Sequence, residues 1–346
     1  MAVESQPLVS VVTPVYNGEK YLAQCIESVV AQTYENWEYV IVNNCSTDGS
    51  LEIIQRYAGQ DPRIRICNND EFLSQMQNWN RAMRQISPAS KYCKVVHADD
   101  WLFPDCLSQM VALAEAHPSV GIVSAYRLDE NRVNLDGLPY PSTVTPGREI
   151  GRAVLRGGLH LFGSPTSLLV RSDLVREREK FYDESAVGAD TQVCFDLLHR
   201  SDFGFVHQVL TYTRRHNESV TSLTHRFNIR RVGRLVRLLE YGPTYLDRQE
   251  YERRLARVLD GHYNFLARSV LELREKAFWD YHRGVLRDLG YPMSLVKLIK
   301  ALLWRLLNLR DAANAVKRGL KRRRGYDLGE QEGVLSAILT QENDEL

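Results

Sequence analysis

The sequence of 346 residues has no C-x-x-C pair, no G-x-G-x-x-G or G-x-x-x-x-G-K loop, no long unbroken apolar run and almost no net charge. Each absence excludes something. Six cysteines (Cys25, Cys45, Cys67, Cys93, Cys106, Cys194) are scattered through apolar or mixed contexts with no Cys/His cluster at zinc spacing, which reads as reduced thiols in a reducing compartment. A membrane-spanning helix needs about 18 or more consecutive apolar residues. The closest stretch, residues 295–309, is interrupted by Lys297, Lys300 and Arg305. Residues 1–7 carry neither a basic n-region nor a long apolar h-region, so the expectation is a cytoplasmic protein without a secretory signal. A net charge of +1 gives no global electrostatic footprint for nucleic acid, and basic residues gather only locally, from Lys317 to Arg324.

What is present is an ordinary globular composition, 44% hydrophobic and 25% charged, on a chain long enough to divide into a main domain and an appendage. Residues 8–15 and 37–42 are β-branched runs bounded by polar turns, and both predict buried strands. Between them Tyr21, Leu22, Ile26, Val29 and Val30 recur at helical spacing, as do Leu51, Ile53, Ile54 and Tyr57 afterwards. A strand at 64–67, a helix over 76–86, a strand at 93–96, a helix over 105–116 and a strand at 120–126 continue the alternation. Parallel neighbours need crossover connections, so this order predicts an α/β fold with an open, mostly parallel sheet flanked by helices. Gly137, Pro139, Pro141, Pro146 and Gly147 then mark a loop-rich stretch, followed by a strand at 167–170, a helix from near Asp190 and strands around 203–212. From about residue 227 the pattern is helical throughout, which sets expected domains of 1–226 and 227–346.

Ligands of open α/β sheets bind beyond the carboxyl ends of the strands. Those positions are polar here: Pro14, Tyr16 and Asn17 after the first strand; Asn43, Asn44, Ser46, Thr47 and Asp48 after the second; Asp99 and Asp100 after the fourth. A ring, an amide and hydroxyl cluster and a carboxylate pair together suit a base, a ribose and a diphosphate. With no glycine-rich phosphate loop, a divalent ion held by carboxylates is the economical way to neutralise the phosphates.

Residues 8–52, containing VSVVTPVYNGEKYLAQCIESVVAQTYENWEYVIVNNCSTDGS, resemble the opening of family 2 glycosyltransferases of the GT-A fold, and the likeness continues through HADDWLFPDCL to about residue 221. The resemblance implies that Tyr16 stacks on the nucleotide base, with Pro14, Val15 and Asn17 around it. Asn44 falls where the family's second acidic residue recognises uracil; an amide both donates and accepts, and uridine is the first expectation. Asn80 matches a further donor contact. His97, Ala98 and Asp99 correspond to the family's D-x-D motif, so that Asp99 binds Mn²⁺ or Mg²⁺ with Asp100 in the same turn, while His97 either accepts a ribose hydroxyl or is a packed strand residue. Arg214, Arg215 and His216 resemble a basic stretch that closes over the donor phosphates, His216 being a further candidate metal ligand.

For the general base the family keeps an acidic pair at the start of a helix. Here Ala189 and Asp190 stand there, so Asp190 is either the base or a helix cap, with Glu184 in reserve. Residues Gly163 to Thr166 match an acceptor-pocket turn. The implied reaction is an inverting transfer from a nucleotide diphosphate sugar, UDP-linked by preference, to a hydroxyl of a saccharide or lipid-linked acceptor in polysaccharide or glycoconjugate synthesis. The acids missing at positions 43, 44, 97 and 189 support an alternative, a non-catalytic or partner-dependent GT-A module that binds nucleotide sugar. A nucleotidyltransferase would need a basic glycine-rich loop that is absent. In the tail, apolar positions 295, 299, 302, 306 and 309 follow helical spacing and precede the cluster Lys317, Arg318, Lys321, Arg322, Arg323 and Arg324. Either residues 295–324 lie on an anionic membrane surface, or the apolar stripe packs on the catalytic domain or a second subunit of a homo-oligomer.

Overall fold

The computed structural model describes residues 6–186, 188–214, 227–307, 314, 316–318 and 320. Residues 1–221 with 237–251 form one compact unit, and 222–236 with 252–346 a second.

The first unit opens with β1 (Val9–Val15), α1 (Glu19–Val30), β2 (Trp37–Asn43), α2 (Ser50–Gln60) and β3 (Ile64–Asn68). Every residue of β1 is buried, as expected for a strand covered on both faces. Leu22, Cys25, Ile26 and Val29, spaced at three and four residues, are the buried stripe of α1 and pack into the same core as Val11, Tyr39 and Ile41. The chain continues through α3 (Gln75–Met83), β4 (Tyr92–Val95), β5 (Trp101–Leu102), α4 (Cys106–Ala116), β6 (Val120–Asp129), β7 (Arg132–Asn134), β8 (Val144–Thr145), α5 (Gly147–Arg156), a single 3₁₀ turn (Pro165–Ser167), β9 (Leu169–Arg171), α6 (Ser172–Arg176), α7 (Ala189–Leu198) and β10 (Asp202–Thr213).

The strands form one sheet in the order β3-β2-β1-β4-β9-β6-β10-β5, with β7 beside β6 and β8 beside β10. The long pairings β1 with β2, β2 with β3, β1 with β4 and β6 with β10 are parallel. The antiparallel insertions are short, and β9, wedged between β4 and β6, is the one that joins the two parallel halves. Three elements in the stretch expected to be loop depart from the sequence expectation. The loop-rich stretch contains β7 and β8, and Gly147 begins a helix. Pro146, with φ −52°, precedes it. A Cβ on Gly147 would overlap the carbonyl oxygens of Leu198 and Ser201, so glycine is required by close approach to the end of α7.

The remaining helices are α8 (Ile229–Tyr245), α9 (Arg248–Leu271), α10 (Lys276–Asp288) and α11 (Leu295–Leu306). Among the described residues no helix is long and apolar enough to cross a membrane. Within the second unit His262 and His282 are buried beside Phe265 and Phe278, ring centroids of the two histidines 5.2 Å apart. Burial pushes both from 6.5 down to about 4. A base whose folded pKa is depressed contributes stability that is present above the unfolded value and lost as pH falls from 6.5 toward 4. The melting temperature is therefore expected to drop across that window. Neither ring nitrogen of His262 has a hydrogen-bond partner among the described residues, so His262→Leu should flatten the acid limb. An unchanged slope in the variant would refute the assignment.

Candidate nucleotide-sugar and metal site

The carboxyl ends of β1 and β4 lie side by side because these strands pair in parallel, Val9 opposite Tyr92 through Val12 opposite Val95. The chain leaves β1 through Tyr16 and Asn17, and Asn17 takes a left-handed φ of 49°. Its side-chain carbonyl accepts the Thr47 N–H at 2.8 Å, and its own N–H donates to Ser46 Oγ at 3.1 Å. Gly18 then passes close to Val15 and Ala98, where a Cβ would stand 3.4 Å from that of Ala98. The small residues thus let the first loop seat on the carboxylate turn. Asp48 accepts from the Glu19 N–H at the start of α1, tying the second loop to the first.

Tyr16 is half exposed, and its ring meets Phe72 edge-on with centroids 4.8 Å apart. Phe72 is itself 59% exposed, and two neighbouring solvent-facing rings form an apolar platform that a planar base can cover. Sequence reasoning missed Phe72, which sits in a loop with no periodic signal. Asn44, expected to read the base, is 2% exposed and faces inward. Its Nδ2 donates to Leu73 O at 2.8 Å, while its Oδ1 accepts from Leu73 N and Asn69 Nδ2, both at 2.9 Å. The amide clamps a backbone segment beside Phe72. Asn80 does the same elsewhere, donating to Tyr182 O and accepting from Tyr182 N at 2.8 Å each, so both amides position loops.

Just past the end of β4, His97, Asp99 and Asp100 bring one ligand atom each within 4.8 Å of the others. Thr166 Oγ1 underlies the turn, accepting from His97 N at 3.1 Å and donating to Asp100 Oδ2 at 2.6 Å. Its carbonyl in turn accepts from Lys94 Nζ at 2.7 Å, a lysine wholly buried in β4 whose pKa burial lowers. Thr166, matched by resemblance to an acceptor turn, is fully buried and bears on the carboxylates instead. Arg214 closes the end of β10: its N–H donates to Asp100 Oδ1 at 2.9 Å, its Nε to Asp99 O at 3.0 Å, and its guanidinium lies 4.0 Å over the Tyr21 ring. Arg215 and His216 lie outside the described residues.

Burial, and then the charge of Asp99, push Asp100 up to about 7 against the bonds from Thr166 and Arg214. His97 is largely buried against Trp79, ring centroids 4.5 Å apart, and burial lowers its pKa; its Nε2 has no hydrogen-bond partner among the described residues. Two crowded carboxylates and an imidazole whose Nδ1 lies 4.0 Å from Asp100 Oδ2 are a donor set that Mn²⁺ or Mg²⁺ fits.

Asp190 is the second residue of α7, after Gly188 in a left-handed conformation with φ 83°. One carboxylate oxygen accepts from Thr191 N at 2.8 Å; Oδ2 has no hydrogen bond among the described residues. Its charge is felt at His97, and it borders a hollow lined by Tyr182, Phe181 and Val193. Glu184 is more encumbered, with Oε1 accepting from Asn80 at 3.2 Å and Oε2 from Lys180 at 2.9 Å; the Lys180 bond lowers its pKa.

An open α/β sheet with an aromatic platform and a carboxylate turn at its strand ends defines the GT-A class of fold, and known proteins agree. Residues 10–178 match the model for "Glycosyl transferase family 2". The chain is 32% identical over 145 residues to "Putative glycosyltransferase EpsE" of Bacillus subtilis (strain 168), covering 41% of this chain and 51% of that protein. The chain spans about half or less of the length of the curated relatives it matches. Among solved structures, S. aureus TarS 1-349 in complex with UDP-GlcNAc superposes with a TM-score of 0.60 at 18% identity, covering 92% of each chain. The mannosyltransferase PcManGT from Pyrobaculum calidifontis, in complex with GDP-Man and Mn²⁺, superposes with a TM-score of 0.53 at 15% identity, covering 92% of this chain and 85% of that one.

Proposed function

We propose that the protein is an inverting glycosyltransferase that moves a sugar from a nucleotide diphosphate donor, UDP-linked by preference, to a hydroxyl of a saccharide or lipid-linked acceptor. The observation that carries this reading is the adjacency, at paired strand ends, of an exposed Tyr16–Phe72 platform and the His97, Asp99 and Asp100 cluster. The platform takes the base. Asp99 and Asp100, with His97, would hold a divalent cation, which would supply positive charge beside the diphosphate leaving group. Asp190 Oδ2 accepts the proton of the acceptor hydroxyl while its oxygen bonds to the anomeric carbon, and the bond from that carbon to the diphosphate oxygen breaks. A single displacement of this kind inverts the anomeric centre. Asn44 and Asn80 act on this site through the loops they clamp. The nucleotide sugars of the complexes with known folds, UDP-GlcNAc and GDP-Man, are consistent with a donor of this class.

Titration calorimetry with UDP, GDP and their sugars in Mn²⁺ tests the reading. UDP is expected to bind, and Tyr16→Ala to weaken all nucleotides alike by about 1–3 kcal/mol, the usual worth of base–aromatic stacking. Phe72→Ala should weaken them in the same direction. Absence of binding by any nucleoside diphosphate, or unchanged affinity in both variants, would overturn it.

A further inference from the structure

The helix α11 leaves an apolar face uncovered. Leu295, Ile299, Leu303 and Leu306 recur at intervals of three and four residues and so share one side of the helix, with Val296 and Leu307 beside them. All six are exposed, from 41% at Leu306 to 84% at Leu307. The opposite side is covered, with Ala301 buried and Leu298 half-buried, while Leu302 at the margin of the stripe is half-buried. A contiguous uncovered stripe of this kind marks an interaction surface.

Charge and length select the occupant. No acidic residue occurs between Asp288 and Asp311, whereas Lys297, Lys300, Arg305 and Arg310 do. Lys300 borders the stripe and Trp304, 66% exposed, stands at its edge. A lysine bordering an apolar stripe, as Lys300 does, and a tryptophan at the apolar–polar boundary suit the headgroup layer of a bilayer. Twelve helical residues reach only about 18 Å, short of the roughly 30 Å hydrocarbon core, so the helix would lie in the interface plane.

We propose that this face of α11 docks on an anionic lipid surface, the leucine side in the acyl boundary and Lys297 and Lys300 against the headgroups. The test uses the full chain and is independent of sugar transfer: flotation with phosphatidylcholine vesicles with and without phosphatidylglycerol. Binding is expected with the anionic vesicles and to weaken as salt rises. Ile299→Ser with Leu303→Ser should cut partitioning at least about tenfold at unchanged melting temperature, because the substituted side chains are exposed. Lys297→Gln with Lys300→Gln should cost about fivefold for each lysine. No flotation with anionic vesicles, equal flotation with neutral ones, or full binding by Ile299→Ser with Leu303→Ser would each overturn the proposal. So would a lipid-free dimer that these two substitutions dissociate, since the face would then belong to a second copy.

Discussion

Asp190→Asn is expected to abolish transfer while sparing the fold and the donor affinity. The variant keeps the side-chain volume and an oxygen able to accept from Thr191 N, the one bond the carboxylate makes within α7. What it loses is the proton acceptor, and general-base catalysis contributes typically about 10²–10⁴ in rate. The comparison is Glu184→Gln, in which both oxygens of the parent are already engaged by Asn80 and Lys180. Melting temperature, UDP affinity and transfer rate should be measured on both. Near wild-type transfer in Asp190→Asn, with collapse in Glu184→Gln, would move the base to Glu184 and leave Asp190 as a structural residue of the helix start.

Asp99→Asn should remove the metal response. Without substitution, Mn²⁺ or Mg²⁺ is expected to tighten UDP binding and to raise the melting temperature, since a ligand at 100 times its Kd stabilises by about 2.7 kcal/mol. The substitution removes one of the two carboxylates but leaves the Asp99 carbonyl, which accepts from Arg214 Nε, so the turn should keep its shape. The thermal shift on adding metal should largely vanish. Transfer should fall by about 10² to 10³, the usual cost of losing one group that stabilises developing charge. A metal-induced shift of unchanged size in Asp99→Asn would exclude this carboxylate from the cation site, whatever happened to turnover.

These expectations rest on residues legible to different degrees. The alternation from β1 to α4 was readable because apolar periodicity is local: the buried residues of α1 are those its spacing names. The strand-end positions of Tyr16, Asp99 and Asp100 followed from the same alternation. By contrast, β9 is three residues long and pairs antiparallel with strands about 50 and 75 residues earlier, so nothing within it announces its partners. The helix α5 was hidden behind Pro146 and Gly147, residues that usually interrupt structure but here begin it.

The site divides in the same way. From its own order of residues the chain determined a segment that matches the family 2 glycosyltransferase model, an α/β sheet, and which ring and which carboxylates stand just past its strands. Only the tertiary structure decided what the amides do, turning Asn44 onto Leu73 and Asn80 onto Tyr182, across a separation of 102 residues in the latter case. It likewise set Phe72 beside Tyr16 and placed Thr166, anchored by the buried Lys94, beneath Asp100. The physical reason is that burial periodicity belongs to a single element, whereas the partner of a polar side chain depends on which distant backbone the folded sheet brings within hydrogen-bonding distance of it.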